Sequence, residues 1–230
     1  MQATNYLTQL IDVTKIYSRS GGETTAINQV SFEAHSSELV LLLGPSGSGK
    51  TTMLTIMAGL QEPTTGEVYL FGRQLQLFSK KELQQIRASR IGFIFQTFCL
   101  LDSLNVLDNV LLVMRFAGIA KDKAQQKALE FLERLEIKHL IRAFPATLSQ
   151  GEKQRVAVAR ALVTGAELII ADEPTGSLAT QQGMQIVDFL RNSCKTENRC
   201  VVIASHDERI SKYADRVFYL RDGIIERVNL

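Results

Sequence analysis

The stretch GPSGSGKTT, Gly44–Thr52, decides the fold of this 230-residue chain. It matches the pattern G-x-x-x-x-G-K-[ST]. It follows the apolar run ELVLLLG and opens the helical pattern KTTMLTIMAGL, which is the context that the pattern requires. Glycines let backbone N–H groups point toward phosphate oxygens, and a helix N-terminus adds partial positive charge. The stretch therefore predicts a phosphate-binding loop between a buried strand and a helix.

Particular residues of this loop have expected roles. Lys50 would reach the β- and γ-phosphates of a nucleotide, and the Thr51 hydroxyl would ligate Mg²⁺. The alternative, a glycine-rich turn that only caps a helix, is disfavoured by the preceding strand and by the Lys-Thr pair in register. The residues expected to bind the nucleotide here are Gly44, Pro45, Ser46, Gly47, Ser48, Gly49, Lys50, Thr51 and Thr52.

Two acidic residues end a second apolar strand, LIIADEP, Leu168–Pro174. A carboxylate at a buried strand end is costly unless it is paired or bound to a metal. Asp172 therefore suits a Mg²⁺ site, as a direct ligand or through water. Glu173 lies just outside the strand and is placed to polarise a water against the γ-phosphate. Two solvated acids are the alternative, which the phosphate-binding loop disfavours.

The rest of the chain alternates between strand and helix patterns. Period-two and β-branched runs predict strands at 7–13 and 24–34, with a turn at 18–23. Strands and helices then alternate to the end, except between 97 and 145, where two amphipathic helical patterns occur without a strand. Such alternation predicts an α/β fold, a parallel sheet with helices on its faces, interrupted by a helical lobe.

Composition excludes some classes of function. The net charge is +2 with both signs interspersed, which gives no electrostatic case for binding nucleic acid. Three cysteines, Cys99, Cys194 and Cys200, lack metal-ligand spacing and are expected to be free thiols in or near the core of a cytoplasmic chain. The sequence has neither a basic start followed by an apolar block nor an apolar run near the ~20 residues that a membrane span needs.

The stretch LSQGEKQR, Leu148–Arg155, adds a second helix start. Ser149 and Glu152 have the spacing of a capping box. Gly151 lies in the first turn, where glycine costs about 0.5–1 kcal/mol relative to alanine. A missing side chain at this position would let an anion approach the helix end, and the stretch alone does not identify that anion.

Together these motifs resemble the ATP-binding cassette (ABC) ATPase family, whose signature sequence is usually LSGGQ. The resemblance covers essentially the whole chain and includes Gln96 in FIFQTF, His206 in SHD and the run ADEPTG. It also includes Tyr17, where the family stacks an aromatic ring on adenine; the alternative for Tyr17 is a plain strand aromatic. A lone phosphate loop would not support this identification, whereas several ordered motifs at family spacing do.

The resemblance implies a fold and a set of site residues. It implies a P-loop NTPase core with an antiparallel β subdomain and a helical subdomain: one domain over 1–230, with the core and β subdomain at 1–96 and 146–230 and the helical subdomain at 97–145. It also implies catalytic roles for His206 and Gln96 beside Glu173. ATP and Mg²⁺ are the expected ligands, and the residues expected at the metal are Thr51, Gln96 and Asp172.

A second subunit is part of the active site in this family. The signature helix of one subunit points its N-terminus at ATP held by the other, so the resemblance implies a homodimer or a dimer with a paralogue. The residues expected to contact ATP across that dimer are Ser149, Gln150, Gly151 and Glu152. Gln150 and Glu152 depart from the family pattern, and Ala179 replaces an aspartate that normally contacts the opposite subunit.

The runs IGFIFQTFCLLDSLNVLDNV and ADEPTGSL are similar to the subgroup that serves lipoprotein release, macrolide export and cyanobacterial glycolipid export. The resemblance implies an ATPase subunit at the cytoplasmic face of the plasma membrane. It would drive export or extraction through separate integral membrane permease subunits, with a periplasmic adaptor as an optional component. The helical insertion and the segment after Gln96 would receive the permease. The alternative is the cell-division ATPase of the same subgroup, which drives a membrane partner without transport.

Overall fold

The computed structural model describes residues 6–19 and 22–229, and the strands within these residues form two sheets. The antiparallel sheet contains, in spatial order, β2 (Gly22–His35), β1 (Tyr6–Arg19), β4 (Thr65–Leu70) and β5 (Arg73–Gln74). The second sheet contains, in spatial order, β10 (Ile224–Asn229), β9 (Arg216–Arg221), β3 (Leu39–Leu43), β8 (Cys200–Ser205), β7 (Leu168–Asp172) and β6 (Ile91–Ile94). Neighbouring strands of the second sheet are parallel from β9 to β6, and β10 pairs antiparallel with β9.

Helices connect these strands. The α-helices are α1 (Lys50–Met57), α2 (Lys80–Ser89), α3 (Val106–Phe116), α4 (Lys121–Arg134), α5 (Gln150–Leu162) and α6 (Thr180–Glu197). Short 3-10 helices lie at Leu75–Leu77, Lys138–Leu140, Pro145–Thr147 and Glu208–Tyr213. Helices α3 and α4 follow one another between β6 and α5 without an intervening strand in residues 97–145, as the amphipathic patterns predict.

Strand β3 lies at the centre of the core, and all five of its residues are buried. Because successive side chains of a strand point to opposite faces, β3 serves two apolar clusters. Leu39, Leu41 and Leu43 pack with residues of α3, α4, α5 and α6, whereas Val40 and Leu42 pack with α1 and the antiparallel sheet. Each buried leucine contributes about 1.5–3 kcal/mol, so this short strand holds both layers against the sheet.

The parallel register brings several loops to one edge of the sheet. Leu43 pairs with Ser205, and Asp172 pairs with Ala204. The segments that follow β3, β7 and β8 therefore leave the sheet at the same level, which is the edge where α/β proteins bind ligands. The loop at 44–49, the acidic pair at the end of β7 and the histidine after β8 are brought together in this way.

The antiparallel hairpin is longer than the sequence predicts. Residues 18–23 are predicted as a turn, yet Ser18 pairs with Glu23 and Arg19 with Gly22. Cross-strand pairs of β-branched and aromatic residues, such as Tyr17 with Thr24, stabilise strand pairing close to the tip. The predicted turn is therefore wrong at 18, 19, 22 and 23, and its two central positions lie outside the described residues.

The cysteines divide into two groups. Cys194 and Cys200 are buried, as the sequence predicts, and burial raises the pKa of the Cys194 thiol to about 12. Cys99 is exposed, so its predicted packing in or near the core is wrong. Its backbone has a φ of 50° in a loop after β6, which carries the side chain outward instead of into a strand face.

Among the described residues, no helix has the length and apolar character needed to cross a membrane.

Helix α6 begins without a side-chain cap, because its N-cap position is Ala179. An Ala179→Asp variant is expected to raise the free energy of unfolding by about 0.5–2 kcal/mol, since aspartate at an N-cap accepts hydrogen bonds from first-turn N–H groups. Urea unfolding measures this change. Ala179→Asn should give a similar gain without a charge, and Ala179→Val should give none. Equal stability of the Asp variant and the original chain would contradict this account of the helix start.

Candidate nucleotide-binding site

The phosphate-binding loop lies between β3 and α1. Its last residue, Gly49, is the N-cap of α1 and has a φ of 101°, a conformation that glycine adopts without strain. A β-carbon at Gly49 would lie 2.3 Å from the Ala26 carbonyl oxygen, so no other residue fits. Because glycine has no side chain to cap the helix, the first-turn N–H groups of α1 are available to an anion.

Lys50 is the first residue of α1, and its side chain is only 6% exposed. The ammonium group donates to the carbonyl oxygens of Gly44 and Pro45 at 2.7 and 3.0 Å. It also lies 3.7 Å from Glu173 Oε1. The loop therefore holds a buried positive charge at its mouth. The Ser48 hydroxyl is buried in the same loop and has no hydrogen-bond partner within the described residues.

Asp172 and Thr51 form the second element of the site. Asp172, the last residue of β7, is 7% exposed and accepts a hydrogen bond of 2.8 Å from the Thr51 hydroxyl. Burial raises the pKa of Asp172, and the bond from Thr51 opposes that shift. Hydroxyl and carboxylate oxygens are the ligands that Mg²⁺ prefers, together with water and phosphate. The described residues contain no group of three or more His, Cys, Asp or Glu side chains that could hold a metal by themselves.

Glu173 turns away from Asp172 toward the next strand. Its carboxylate oxygens lie 3.0 Å from His206 Nδ1, and Oε2 accepts a hydrogen bond of 3.3 Å from the Ser205 hydroxyl. The carboxylate is 11% exposed, whereas the His206 side chain is 62% exposed. Glu173 thus lies between two groups that differ in burial: the Lys50 ammonium is buried, and the His206 imidazole is exposed to solvent.

Tyr17 lies in β1 beside the phosphate-binding loop. Its hydroxyl donates to Gln61 Oε1 at 2.8 Å and lies 3.4 Å from the Thr52 hydroxyl. The ring is half-buried, and the Lys15 ammonium is 5.5 Å from its centroid. These bonds fix the ring next to the loop, and Gln61 is a partner that the sequence motifs do not identify.

Gln96 follows β6 and is exposed, and no hydrogen bond to its side chain occurs within the described residues. The backbone just beyond it is held by Arg160 of α5, which donates to the carbonyl oxygens of Phe98, at 2.6 Å, and Cys99. Phe98 and Cys99 both have positive φ, at 61° and 50°. Arg160 thus fixes a strained turn next to Gln96, a role that its place in an ordinary helical pattern does not predict.

The stretch at the start of α5 forms the capping box that the sequence predicts. The Ser149 hydroxyl accepts from the Glu152 N–H at 3.3 Å, and Glu152 Oε2 accepts from the Ser149 N–H and hydroxyl at 2.7 and 2.8 Å. These bonds lower the pKa of Glu152. Gln150 is exposed. A β-carbon at Gly151 would lie 3.0 Å from Gln182 Oε1 of α6, so Gly151 also makes room within the chain.

These features define a class of protein. A phosphate-binding loop leads into a helix, a buried aspartate accepts a hydrogen bond from the threonine of that helix, and a glutamate lies beside its lysine. This arrangement is the site of a P-loop nucleoside triphosphatase. A sequence profile of the ABC transporter family matches residues 27–176. The chain belongs to this family of ATP-binding, transport-coupled ATPases.

Curated relatives match over nearly the whole chain. The putative hemin import ATP-binding protein HrtA of Staphylococcus saprophyticus is 36% identical over 217 residues, which cover 94% of this chain and 97% of that protein. The macrolide export ATP-binding/permease protein MacB of Pasteurella multocida is 34% identical over 219 residues, which cover 95% of this chain and 34% of MacB. The predicted similarity to the macrolide-exporter subgroup is confirmed.

Solved structures confirm the predicted fold. The dimeric structure of the ABC transporter cassette MJ0796, from Methanocaldococcus jannaschii, has a TM-score of 0.91 and 36% identity. The match covers 96% of this chain and 97% of that one. A second dimeric structure of MJ0796, in a post-hydrolysis state bound to ADP and Pi, has a TM-score of 0.90.

Proposed function

We propose that this chain hydrolyses Mg-ATP as one of two paired cassettes, at the cytoplasmic face of the plasma membrane, and thereby powers export through a separate integral membrane permease. The cluster of Lys50, Thr51, Asp172, Glu173 and His206 at one edge of the sheet carries this proposal. Its charges and oxygen ligands match the needs of phosphoryl transfer to water, which are positioning and electrostatic stabilisation.

The proposed ground-state site holds the phosphates and one metal ion. Lys50 and the first-turn N–H groups of α1 bind the β- and γ-phosphates, while the tyrosine ring of Tyr17 faces the adenine. Thr51 and Asp172 fit a Mg²⁺ ion because they supply adjacent oxygens and leave most ligand positions to water and phosphate. When bound, Mg²⁺ would neutralise phosphate charge. Gln96 is the proposed third protein group near it.

The proposed catalytic groups are Glu173 and His206. Glu173 acts as the general base that accepts a proton from the attacking water. The His206 ring contacts both carboxylate oxygens and therefore orients the base. Lys50 lies on the other side of the carboxylate, so the Lys50 ammonium would bridge the base and the phosphate that is attacked.

A second cassette completes the proposed site. Ser149 and Gly151 mark the N-terminus of α5 on the surface, and Gly151 leaves the helix end open to a phosphate held by a partner subunit. Support comes from MJ0796, whose two matched structures are dimeric. The Ser149 hydroxyl donates to Glu152 in this chain, so it must exchange that bond for the phosphate when the dimer closes.

A groove offers a docking place for the permease. It has a volume of about 640 Å³ and lies between α2, β6, α3 and α5, next to the segment after Gln96. Aromatic and aliphatic side chains line it, among them Leu60, Phe93, Phe95 and Phe116, together with the cationic side chains of Lys81, Arg87 and Arg160. Phe116 is 62% exposed, so its ring is available to a partner. MacB, which this chain matches over 34% of its length, is named as both ATP-binding and permease protein, which supports a permease as the proposed occupant of the groove.

A Leu60→Glu variant is expected to reduce co-purification of the permease from native membranes by roughly tenfold, because replacing an apolar side chain by a charged one at an apolar contact costs at least ~1.4 kcal/mol. The measurement is quantitative mass spectrometry of membrane proteins retained by the tagged chain. Ile224→Glu is the matched control, since Leu60 and Ile224 are each 49% exposed and Ile224 lies on β10, outside the groove. Equal retention of the permease by both variants would refute the groove as the docking place.

A further inference from the structure

We propose that Gln154 is a positioning residue for Glu173: its side-chain amide holds the Pro174 carbonyl and so fixes the turn that aims the Glu173 carboxylate. The inference rests on the proposed role of Glu173 as the base. Gln154 lies in α5, is 1% exposed, and donates through Nε2 to the Pro174 carbonyl oxygen at 2.7 Å. The sequence motifs assign no role to Gln154.

The Glu173 backbone needs such support. Its φ is 47°, a left-handed conformation that costs free energy in any residue with a β-carbon. Pro174 follows it, and a proline further restricts the residue before it. Strained residues of this type persist only where their surroundings determine the conformation. The direction of the carboxylate therefore depends on what holds the neighbouring backbone.

Backbone hydrogen bonds hold Glu173 itself but not the next peptide. The Glu173 N–H donates to the Ala204 carbonyl at 2.9 Å, and the Glu173 carbonyl accepts from the Gly176 N–H at 3.1 Å. Pro174 has no N–H to donate. Its carbonyl receives no backbone N–H within the described residues, and Gln154 is the donor that satisfies it. Loss of this bond would leave a buried acceptor without a partner and free the peptide to rotate.

The same bond connects Glu173 to the start of α5. Gln154 follows Ser149 by little more than one helical turn. A β-carbon at Gly151 would lie 3.0 Å from Gln182 Oε1 at the start of α6, and a β-carbon at Gly183 of α6 would lie 3.1 Å from Thr175 Cβ in the loop after Glu173, so each glycine lets its neighbour approach closely. These contacts make the two helix starts and the loop one packed unit, in which Gln154 supplies the direct polar connection to the turn at Glu173.

Gln154→Met tests the proposal because methionine has a similar length but no donor. We expect kcat for ATP hydrolysis to fall about tenfold while KM for ATP stays within twofold, since no nucleotide-binding group is changed. Ser193→Ala is the control: Ser193 is also 1% exposed and also donates to a backbone carbonyl, that of Leu190, at 2.7 Å. The kcat of Ser193→Ala should stay within twofold of that of the original chain, even if its thermal stability falls by as much as that of Gln154→Met.

Gln154→Glu separates positioning from general damage. A protonated carboxyl can donate to the Pro174 carbonyl, whereas an ionised one cannot. Burial raises the pKa of an introduced carboxyl above the ordinary glutamate value of about 4.3. The kcat of this variant relative to that of the original chain should therefore fall as pH rises, while the same ratio for Gln154→Met stays flat.

Three results would overturn the proposal: a Gln154→Met kcat within twofold of the original, a loss in kcat matched by Ser193→Ala at equal loss of stability, or a flat pH ratio for Gln154→Glu. Glu173→Gln is measured in the same assay. If it hydrolyses ATP at the original rate, the role of Glu173 itself fails. If it is inactive while Gln154→Met is fully active, only the positioning role of Gln154 fails.

Discussion

A Glu173→Gln variant is expected to hydrolyse ATP about 10²–10⁴-fold more slowly than the original chain, the usual loss when a general base is removed. The amide has nearly the shape of the carboxylate and can keep its contacts with Ser205 and His206, but it cannot accept a proton from water. Mg-ATP binding should stay nearly intact. Steady-state phosphate release and equilibrium binding of ATP, measured on the same preparation, give both numbers.

Asp172→Asn is the control for this variant. Asp172 accepts the bond from Thr51 and is proposed at the metal, so neutralising it should weaken Mg-ATP binding itself.

Glu173→Gln should also form a stable ATP-dependent dimer on a sizing column, because opening of the proposed dimer follows hydrolysis. Hydrolysis at the original rate would show that Glu173 is not the base, and this rate is decisive because Ala179 can weaken the dimer contact.

A Lys50→Ala variant is expected to lose ATP hydrolysis and to bind ATP about 10–150-fold more weakly. Each hydrogen bond to a charged phosphate is typically worth ~1.5–3 kcal/mol, and 1.36 kcal/mol is tenfold. The remaining N–H groups of α1 cannot replace the buried ammonium. Lys121→Ala is the matched control, since Lys121 is also the first residue of a helix but is exposed. ATP affinity and turnover that match this control would rule out the proposed role of Lys50.

Mixing the Lys50→Ala chain with a Gly151→Asp chain tests whether each site is built from both subunits. Each heterodimer would combine both defects at one site and leave the other site intact, so the mixture should recover activity that neither parent has. Gln182 is the group nearest to a new side chain at Gly151, and its flexible end can move aside. If heterodimers are shown to form and to bind ATP normally but the mixture stays inactive, the result would contradict two sites that are each built from both subunits and work independently.

Local patterns could predict the loop and the acidic pair. A glycine-rich turn between a buried strand and a helix has few backbone solutions, and consecutive residues encode it. The positions of Lys50, Thr51 and Asp172 follow directly, because the loop and a neighbouring strand end fix them. Their roles in ATP hydrolysis stay predictions that the variants above test.

Contacts between distant parts of the chain could not be predicted in this way. Arg160 holds the Phe98 carbonyl, and Tyr17 donates to Gln61. Arg160 and Gln61 occur in ordinary polar positions of their segments, and only the folded chain brings them to these partners. The loop that exposes Cys99 includes such a contact too, since Arg160 of α5 donates to the carbonyl oxygens of Phe98 and Cys99.

The strand order has a consequence for how the chain is made. Strand β3 lies between β8 and β9, so Leu39 pairs with Val201 and Val40 with Arg216. Pairings between residues so far apart form slowly because a long loop must close first. On the ribosome, this strand of five apolar residues leaves the exit tunnel before β8 and β9, its two neighbours in the sheet, have been synthesised. During that interval β3 has no partner strand, and such exposed apolar segments are prone to aggregation.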